Sequence, residues 1–206
     1  MNPIAILKKR GLVIATGNSG KIREFHRLLA PLEIKLHTFL DFPEFPEADE
    51  CENTFQGNAK IKAMHAFQYL NLPVIADDSG LIVDALNGEP GVMTARYGGP
   101  DLDDSGRRKF LIGNMKDVPD EKRKARFVCV LAFTADGREF SFFRGETEGR
   151  ILHEDKGKGG FGYDPIFFPE EAKEGYAEMD ASLKDAISHR GKAVKKFIAF
   201  LKDLNS

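Results

Sequence analysis

Apolar positions along the chain switch between two spacings. Residues 11–16, GLVIAT, form a short unbroken apolar run that predicts a buried strand, and KIREFHRLLAPL (21–32) sets Ile22, Phe25, Leu28, Leu29 and Leu32 at helical spacing. IKLHTFL (34–40) predicts a second strand, and the proline-rich DFPEFPEADE (41–50) excludes regular structure. Phe55, Ala59, Ala63, Ala66, Phe67 and Leu70 mark a second helix over 54–70. PVIA (73–76) predicts a strand that ends at Asp77-Asp78, and LIVDAL (81–86) a separate one, closed by the turn NGEPG. A helix is predicted over 104–116. ARFVCVLAFTA and REFSFFRGETEG, joined around Asp136-Gly137, predict a hairpin. GKGGFGYDPIFF (157–168) is a glycine-rich loop entering an apolar segment. Residues 188–204 form a terminal helix with Ser188 as N-cap and Ala193, Phe197 and Leu201 on one face. Repeats, low-complexity tracts and interdomain linkers are absent. The pattern predicts an α/β fold, a mixed sheet flanked by helices.

Composition narrows this little. At 206 residues and 42% hydrophobic, the chain can bury one large α/β core or two lobes. A formal net charge of −2 gives no global field toward nucleic acid or anionic lipid, so neither is expected as a partner. The basic run Lys122–Arg126 is expected to be a solvated turn. No apolar stretch approaches the roughly 18–20 residues of a membrane span, and MNPIAILKKRG lacks the charge order of a signal peptide. Two cysteines, Cys51 and Cys129, make no disulfide scaffold or CxxC site, and Cys129 reads as core. A cytoplasmic protein is expected.

Four stretches carry candidate chemistry. ATGNSGK (15–21) is a strand-to-helix loop that can cradle phosphate on backbone N–H groups with Lys21 adding charge, or be an ordinary turn with a surface lysine. It is not a Walker A loop, which needs a glycine where Ala15 stands and Ser or Thr after the lysine. Asp77-Asp78 opposes its own ionisation unless a cation offsets it. A hard cation such as Mg²⁺ would do so and would help one carboxylate act as base on water; an N-cap or Asx turn is the alternative. In GGFGYDP (159–165), Phe161 can stack on a flat base and Asp164 can accept from it, unless the stretch is only a turn. KDAISHRG (184–191) places Lys184, Ser188, His189 and Arg190 at a helix entry as donors for phosphate or carbonyl oxygen, or as structural side chains.

In combination these stretches resemble the inosine/xanthosine triphosphate pyrophosphatase family. The resemblance runs through TGNSGK (16–21), E-x4-F-x2-N-A-x2-K (50–62), ADDSGL (76–81), PGVMTARY (90–97), GGFGYDPIF (159–167) and K-x3-S-H-R (184–190), over essentially residues 11–203. It implies Mg²⁺-dependent hydrolysis of the non-standard purine nucleotides ITP, dITP and XTP to the monophosphate and pyrophosphate. The implied fold is an elongated mixed sheet flanked by helices, in two lobes with a substrate cleft between them, usually as a homodimer. Thr16, Gly17, Asn18, Ser19, Gly20 and Lys21 would hold the triphosphate with Lys62. Glu50 and Asp78 would serve Mg²⁺, Asp78 would also be the catalytic base, and Ser79 would contact substrate. Phe161, Gly162, Tyr163 and Asp164 would hold base and sugar, with Lys184, His189 and Arg190 closing the base pocket. Three departures stand out. About ten residues precede the first strand, where a disordered or loosely packed arm is expected over 1–10. Glu52 occupies a usual glycine position, which leaves Glu52 or Asp49 open beside Glu50 as metal ligand. Leu183 replaces a usual glutamate.

Overall fold

The computed structural model describes residues 3–46 and 48–204. Six strands form one mixed sheet: β1 (Leu12–Ala15), β2 (Leu36–His37), β3 (Val74–Val83), β4 (Lys124–Thr134), β5 (Ser141–Ile151) and β6 (Phe167–Pro169), in the order β2-β1-β3-β4-β5-β6. The helices are α1 (Pro3–Arg10), α2 (Ser19–Leu29), α3 (Phe55–Leu70), α4 (Asp104–Asn114), α5 (Ala181–Ile187) and α6 (His189–Asp203). The chain divides into two compact units. The first holds the residues up to Asp78, Cys129–Gly145 and those from Arg190 onward; the second holds Ser79–Val128 and Glu146–His189.

In the first unit β1 runs parallel to both neighbours, with Leu12 opposite Leu36 and Ile14 opposite Ile75. All four of its residues are buried, which is why it reads as an unbroken apolar run. Leu12, Ile14 and Ile75 share a core with Phe25 and Leu29 of α2 and with Ala193, Val194, Phe197 and Leu201 of α6. Leu7 joins that core at 0% exposure. Residues 3–10 are therefore a docked helix where a loose arm was expected, and the reason is an apolar side chain that the core accepts; residues 1 and 2 lie outside the described part. The proline-rich stretch after β2 is irregular as expected, yet it is held. The Phe45 ring stacks on Phe39 at 4.4 Å and meets Tyr69 and His65 of α3 edge-on, and His65 Nε2 lies 3.0 Å from the Pro46 carbonyl.

The second unit has its own core, in which Leu81, Val83, Leu111, Met115, Phe127, Ile151, Ile166, Phe167 and Tyr176 pack together. Arg123, expected on a solvated turn, is 2% exposed. Its guanidinium donates to the carbonyls of Met115, Ile151 and Leu152, so a charge is buried because hydrogen bonds satisfy it. Two strand expectations change. PVIA and LIVDAL are one ten-residue strand, β3, that runs straight through Asp77-Asp78. IKLHTFL keeps only Leu36 and His37 as strand, because the chain tightens into a short 3-10 turn at Phe39–Asp41, capped through Thr38. The pattern also missed α5, whose N-cap Asp180 accepts from the Leu183 N–H at 2.9 Å. Ser188 stands directly before α6, the place expected of its N-cap, and it also closes α5, donating its backbone N–H to the Lys184 carbonyl.

Candidate active site

Asp77 lies at the centre of a buried charged cluster in the first unit. Pairing of β1 with β3 ends at Ala15 opposite Ala76, so Asp77 emerges just past the carboxyl end of β1. That is where open parallel sheets present their ligand-binding groups. Lys21, in the first turn of α2, donates from Nζ to Asp77 Oδ1. Arg190 Nε donates to Oδ2 at 2.9 Å and the Cys129 thiol donates to the same oxygen at 3.1 Å. A second guanidinium nitrogen of Arg190 donates to Glu24, itself buried on α2. Burial alone would push the Asp77 carboxyl up, but Arg190 and Lys21 outweigh it and hold it well below the usual carboxylate range. Burial and the neighbouring Asp77 charge push the Cys129 thiol well above its ordinary value. Burial works against the charge on Arg190, yet Asp77 and Glu24 leave it more firmly protonated than a free arginine.

Asp78 is built differently. Its Oδ1 accepts from Lys62 Nζ at 2.7 Å, and the same ammonium lies 3.3 Å from Glu50 Oε2. Its Oδ2 is buried with no hydrogen-bond partner among the described residues. Burial raises the Asp78 carboxyl above its ordinary value and Lys62 does not fully compensate. Lys62 itself is depressed by burial but raised further by Asp78 and Glu50, so it stays charged.

An orphaned buried carboxylate oxygen is costly unless a cation or water answers it. Here it belongs to one of two carboxylates that converge on a single ammonium. Thr16, Gly17, Glu50 and Lys62 line a recess of about 120 Å³ with Phe39 and Phe45, which has room for several waters. Two hard oxygen donors beside a recess of that size fit Mg²⁺, which is typically held by one or two carboxylates and keeps waters. Among the described residues no three His, Cys, Asp or Glu side chains converge as a metal cluster. Glu50 reaches this place because the chain next to it is pinned: the Asn58 carboxamide accepts from the Glu52 N–H and donates to the Glu52 carbonyl, each at 3.0 Å. The geometry thus favours Glu50 over Glu52.

The loop between β1 and α2 is organised by capping. The Asn18 side chain accepts from the Lys21 N–H at 3.0 Å, and Thr16 Oγ1 accepts from the Asn18 N–H at 3.2 Å. A cap of this kind stabilises a helix start by about 1 kcal/mol. It opens α2 at Ser19, buries Gly20 and aims Lys21 at Asp77.

In the second unit, Asp164 organises an aromatic cluster. Its Oδ2 accepts the Phe161 N–H at 2.8 Å and Lys184 Nζ at 2.6 Å. The Lys184 ammonium lies 4.9 Å from the Phe161 ring centroid and 5.4 Å from that of Tyr176, so a cation, a carboxylate and two ring faces share one place. Gly160 is required there: its φ is +73°, and a Cβ would stand 2.2 Å from Asp164 Oδ2. The His189 ring stacks on Phe127 with centroids 4.7 Å apart and planes 10° from parallel. Tyr163 donates its hydroxyl to the Thr94 carbonyl at 3.1 Å, and burial pushes its pKa up to about 12.

The structure therefore groups the expected residues in two sets. Thr16, Gly17, Lys21, Lys62, Glu50 and Asp78 belong to the first unit, and Phe161, Gly162, Tyr163, Asp164, Lys184 and His189 to the second; Ser79 follows Asp78 on β3. Arg190, expected at a base pocket, has its guanidinium engaged by Asp77 and Glu24, and the cause is a buried carboxylate that needs a fixed cation. Sequence reasoning missed Glu24, Cys129, Phe127 and Tyr176 as parts of these sets. The signal for Glu24 was a carboxylate between Gly20 and Leu29 on the buried side of α2.

The Ham1 family profile matches residues 12–200. A protein of Bacillus cereus named dITP/XTP pyrophosphatase is 46% identical over 187 residues, covering 90% of this chain and 91% of that protein. A dITP/XTP pyrophosphatase of Geobacter sulfurreducens is 45% identical over 192 residues, covering 93% and 94%. The structure of a HAM1 protein from Coxiella burnetii gives a TM-score of 0.84 at 40% identity, over 93% of this chain and 98% of that one.

Proposed function

The chain belongs to the Ham1 family, and from that premise we propose that it is a nucleoside-triphosphate pyrophosphatase acting on ITP, dITP and XTP. Its products are the nucleoside monophosphate and pyrophosphate. The observation that carries this reading is the unlike pair Asp77 and Asp78: one carboxylate closed by protein cations, the other with a buried oxygen left open.

Water adds its oxygen to phosphorus, the α–β anhydride bond breaks, and pyrophosphate leaves. Asp78 Oδ2 is the acceptor for the proton of that water, and Lys62 fixes the other carboxylate oxygen. Lys21 and Lys62 supply positive charge to phosphate oxygens, where negative charge grows as the bond breaks. Asp77 holds Lys21 in place. Glu50 and Asp78 are the residues that would hold Mg²⁺, which when bound neutralises phosphate charge and makes the attacking water more acidic. A flat purine ring suits Phe161 and the Asp164–Lys184 pair of the second unit. A purine nucleoside triphosphate presents both chemistries, a polyphosphate and a flat base. A homodimer belongs to the same reading, and light scattering tests it against the 23.0 kDa of one chain.

The test of function is a nucleotide panel of ITP, dITP, XTP, ATP and GTP with Mg²⁺, scored separately for pyrophosphate, orthophosphate and monophosphate. Pyrophosphate and monophosphate in equal amounts from ITP or XTP are expected. Orthophosphate as product, or binding of ITP without turnover, overturns the reading.

A further inference from the structure

The loop that carries Phe161 is held from outside by one helix. Gly162 donates its N–H to Asp104 Oδ2 at 3.0 Å, and its carbonyl accepts from Arg108 Nη1 at 2.9 Å. Asp104 and Arg108 stand one turn apart on α4, the spacing that puts two side chains on the same helix face. A single residue, the one next to Phe161, is thus gripped by both of its backbone polar groups. Arg108 does more: its Nε and Nη2 form a forked pair with the carboxylate of Asp155, with distances of 2.6 to 3.0 Å. Asp155 lies early in the segment between β5 and β6, and Gly162 lies late in it. One rigid guanidinium therefore ties both ends of this loop to a helix.

The grip has a physical purpose. Gly157, Gly160 and Gly162 all sit at positive φ, and a loop so rich in glycine loses much conformational entropy when ordered. The Phe161 ring is 4.9 Å from the Lys184 ammonium and its N–H is on Asp164, so its position sets which ring face stands beside that ion pair. A ring that must stack on a flat ligand gains most when its place is fixed before the ligand arrives. The side chain of Arg108 is only 12% exposed and so is itself held.

We propose that Asp104 and Arg108 of α4 are positioning residues for base recognition, clamping Gly162 so that Phe161 is presented in one fixed place. They touch no reacting atom. Their effect is expected in affinity for ligands that carry a purine, with polyphosphate alone indifferent to them. This rests on the reading of Phe161 and Asp164 as a base site. Lysine at position 108 keeps the charge but cannot make the fork and reach Gly162 together. Asparagine at position 104 keeps an acceptor for the Gly162 N–H; alanine does not.

The experiment measures binding of IMP and of inorganic tripolyphosphate by calorimetry, together with KM and kcat for ITP, on wild type, Arg108→Ala, Arg108→Lys, Asp104→Ala and Asp104→Asn. Arg108→Ala is expected to weaken IMP about tenfold, within the usual worth of base stacking. Tripolyphosphate should stay within about twofold, as for an uncoupled site. The ITP loss should fall on KM; Arg108→Lys should resemble Arg108→Ala, and Asp104→Asn should recover most of what Asp104→Ala loses. Melting curves on the same variants separate local from global loss. Equal loss of both ligands, or none, overturns the clamp. If Phe161→Ala in the same series leaves IMP affinity intact, the base-site reading fails and takes the clamp with it. If Phe161→Ala weakens IMP while Arg108→Ala does not, the clamp fails alone.

Discussion

In the first unit Asp77 divides its two oxygens among Lys21, Arg190 and Cys129, whereas in the second unit Asp164 gathers one backbone N–H and one ammonium on a single oxygen beneath aromatic faces. Both carboxylates are almost fully buried, at 1% and 3% exposure, so burial alone does not separate them. What separates them is what surrounds the pair. The first cluster is a chain of full charges, Glu24–Arg190–Asp77–Lys21, beside a second acid with an open oxygen. It suits an anion and a hard cation. The second has the Asp164–Lys184 ion pair framed by Phe161 and Tyr176, suited to a flat polar ring. Changes in the first unit should therefore be blind to the base, and changes in the second should not.

The largest effect tests that blindness directly. Asp78→Asn keeps shape and removes the base, so kcat should fall by roughly 10²–10⁴ for every nucleotide alike, read as pyrophosphate release. Burial raises the Asp78 carboxyl, so the folded protein binds that proton more tightly than the unfolded chain does. Stability then declines as pH rises from the ordinary carboxylate range through the raised value. The metal-free Asn variant should accordingly be at least as stable as wild type at pH 7 in a urea titration. A loss that falls on ITP and spares other nucleotides would break the comparison.

Arg190→Met should be nearly as severe, but on the fold. It leaves Glu24 and Asp77 as buried carboxylates without their shared cation, a change that costs roughly 3–5 kcal/mol. The pH dependence has a definite sign. Because the Asp77 carboxyl is lowered on folding, its contribution is complete above the ordinary carboxylate value and is lost as pH falls through the lowered one. Acid unfolding curves of wild type and variant should converge in that window. Unchanged stability, together with a collapsed ITP/ATP preference, would return Arg190 to a base pocket.

Phe161→Ala should cost roughly 1–3 kcal/mol in affinity for IMP, the usual worth of a base on an aromatic face. Tripolyphosphate binding on the same variant is the control, and a parallel loss there would blur the two units together. The smallest effect is expected from Glu50→Gln. It should raise the Mg²⁺ needed for half-maximal activity about tenfold, or about 1.4 kcal/mol, with Mn²⁺ binding followed by electron paramagnetic resonance as a second readout. Glu52→Gln should do less, since Asn58 holds the backbone of Glu52 and Glu50 supplies the carboxylate near Lys62.

Much of the fold was legible because its signals are local. The apolar run of β1 and the spacing of α2, α3 and α6 are fixed by which faces are buried, and burial leaves a period. The joining of PVIA to LIVDAL was not legible, since adjacent aspartates look like a strand end. Only the pairing shows that the strand continues where its neighbour stops. The site divides in the same way. Lys62, Asp78, Asp164 and Lys184 are side chains whose type announces chemistry. The assignment of Arg190 to Asp77 depends on a contact across 113 positions, and that of Cys129 to Asp77 on one across 52. Nothing local encodes such contacts. The docking of residues 3–10 was missed for a simpler reason: Leu7 is the one buried side chain described in PIAILKKR, and one such position leaves almost no period to detect.

The two thiols supply a practical handle. Cys129 is fully buried against Asp77 and its proton is held well above the usual thiol range, so it offers an electrophile almost no thiolate. Cys51 is exposed. A maleimide dye added to the native, unaltered chain should therefore attach once, at Cys51, immediately beside Glu50. Occupancy of the carboxylate pair then becomes an optical signal, and loading can be followed in real time without a mutation and without a substrate.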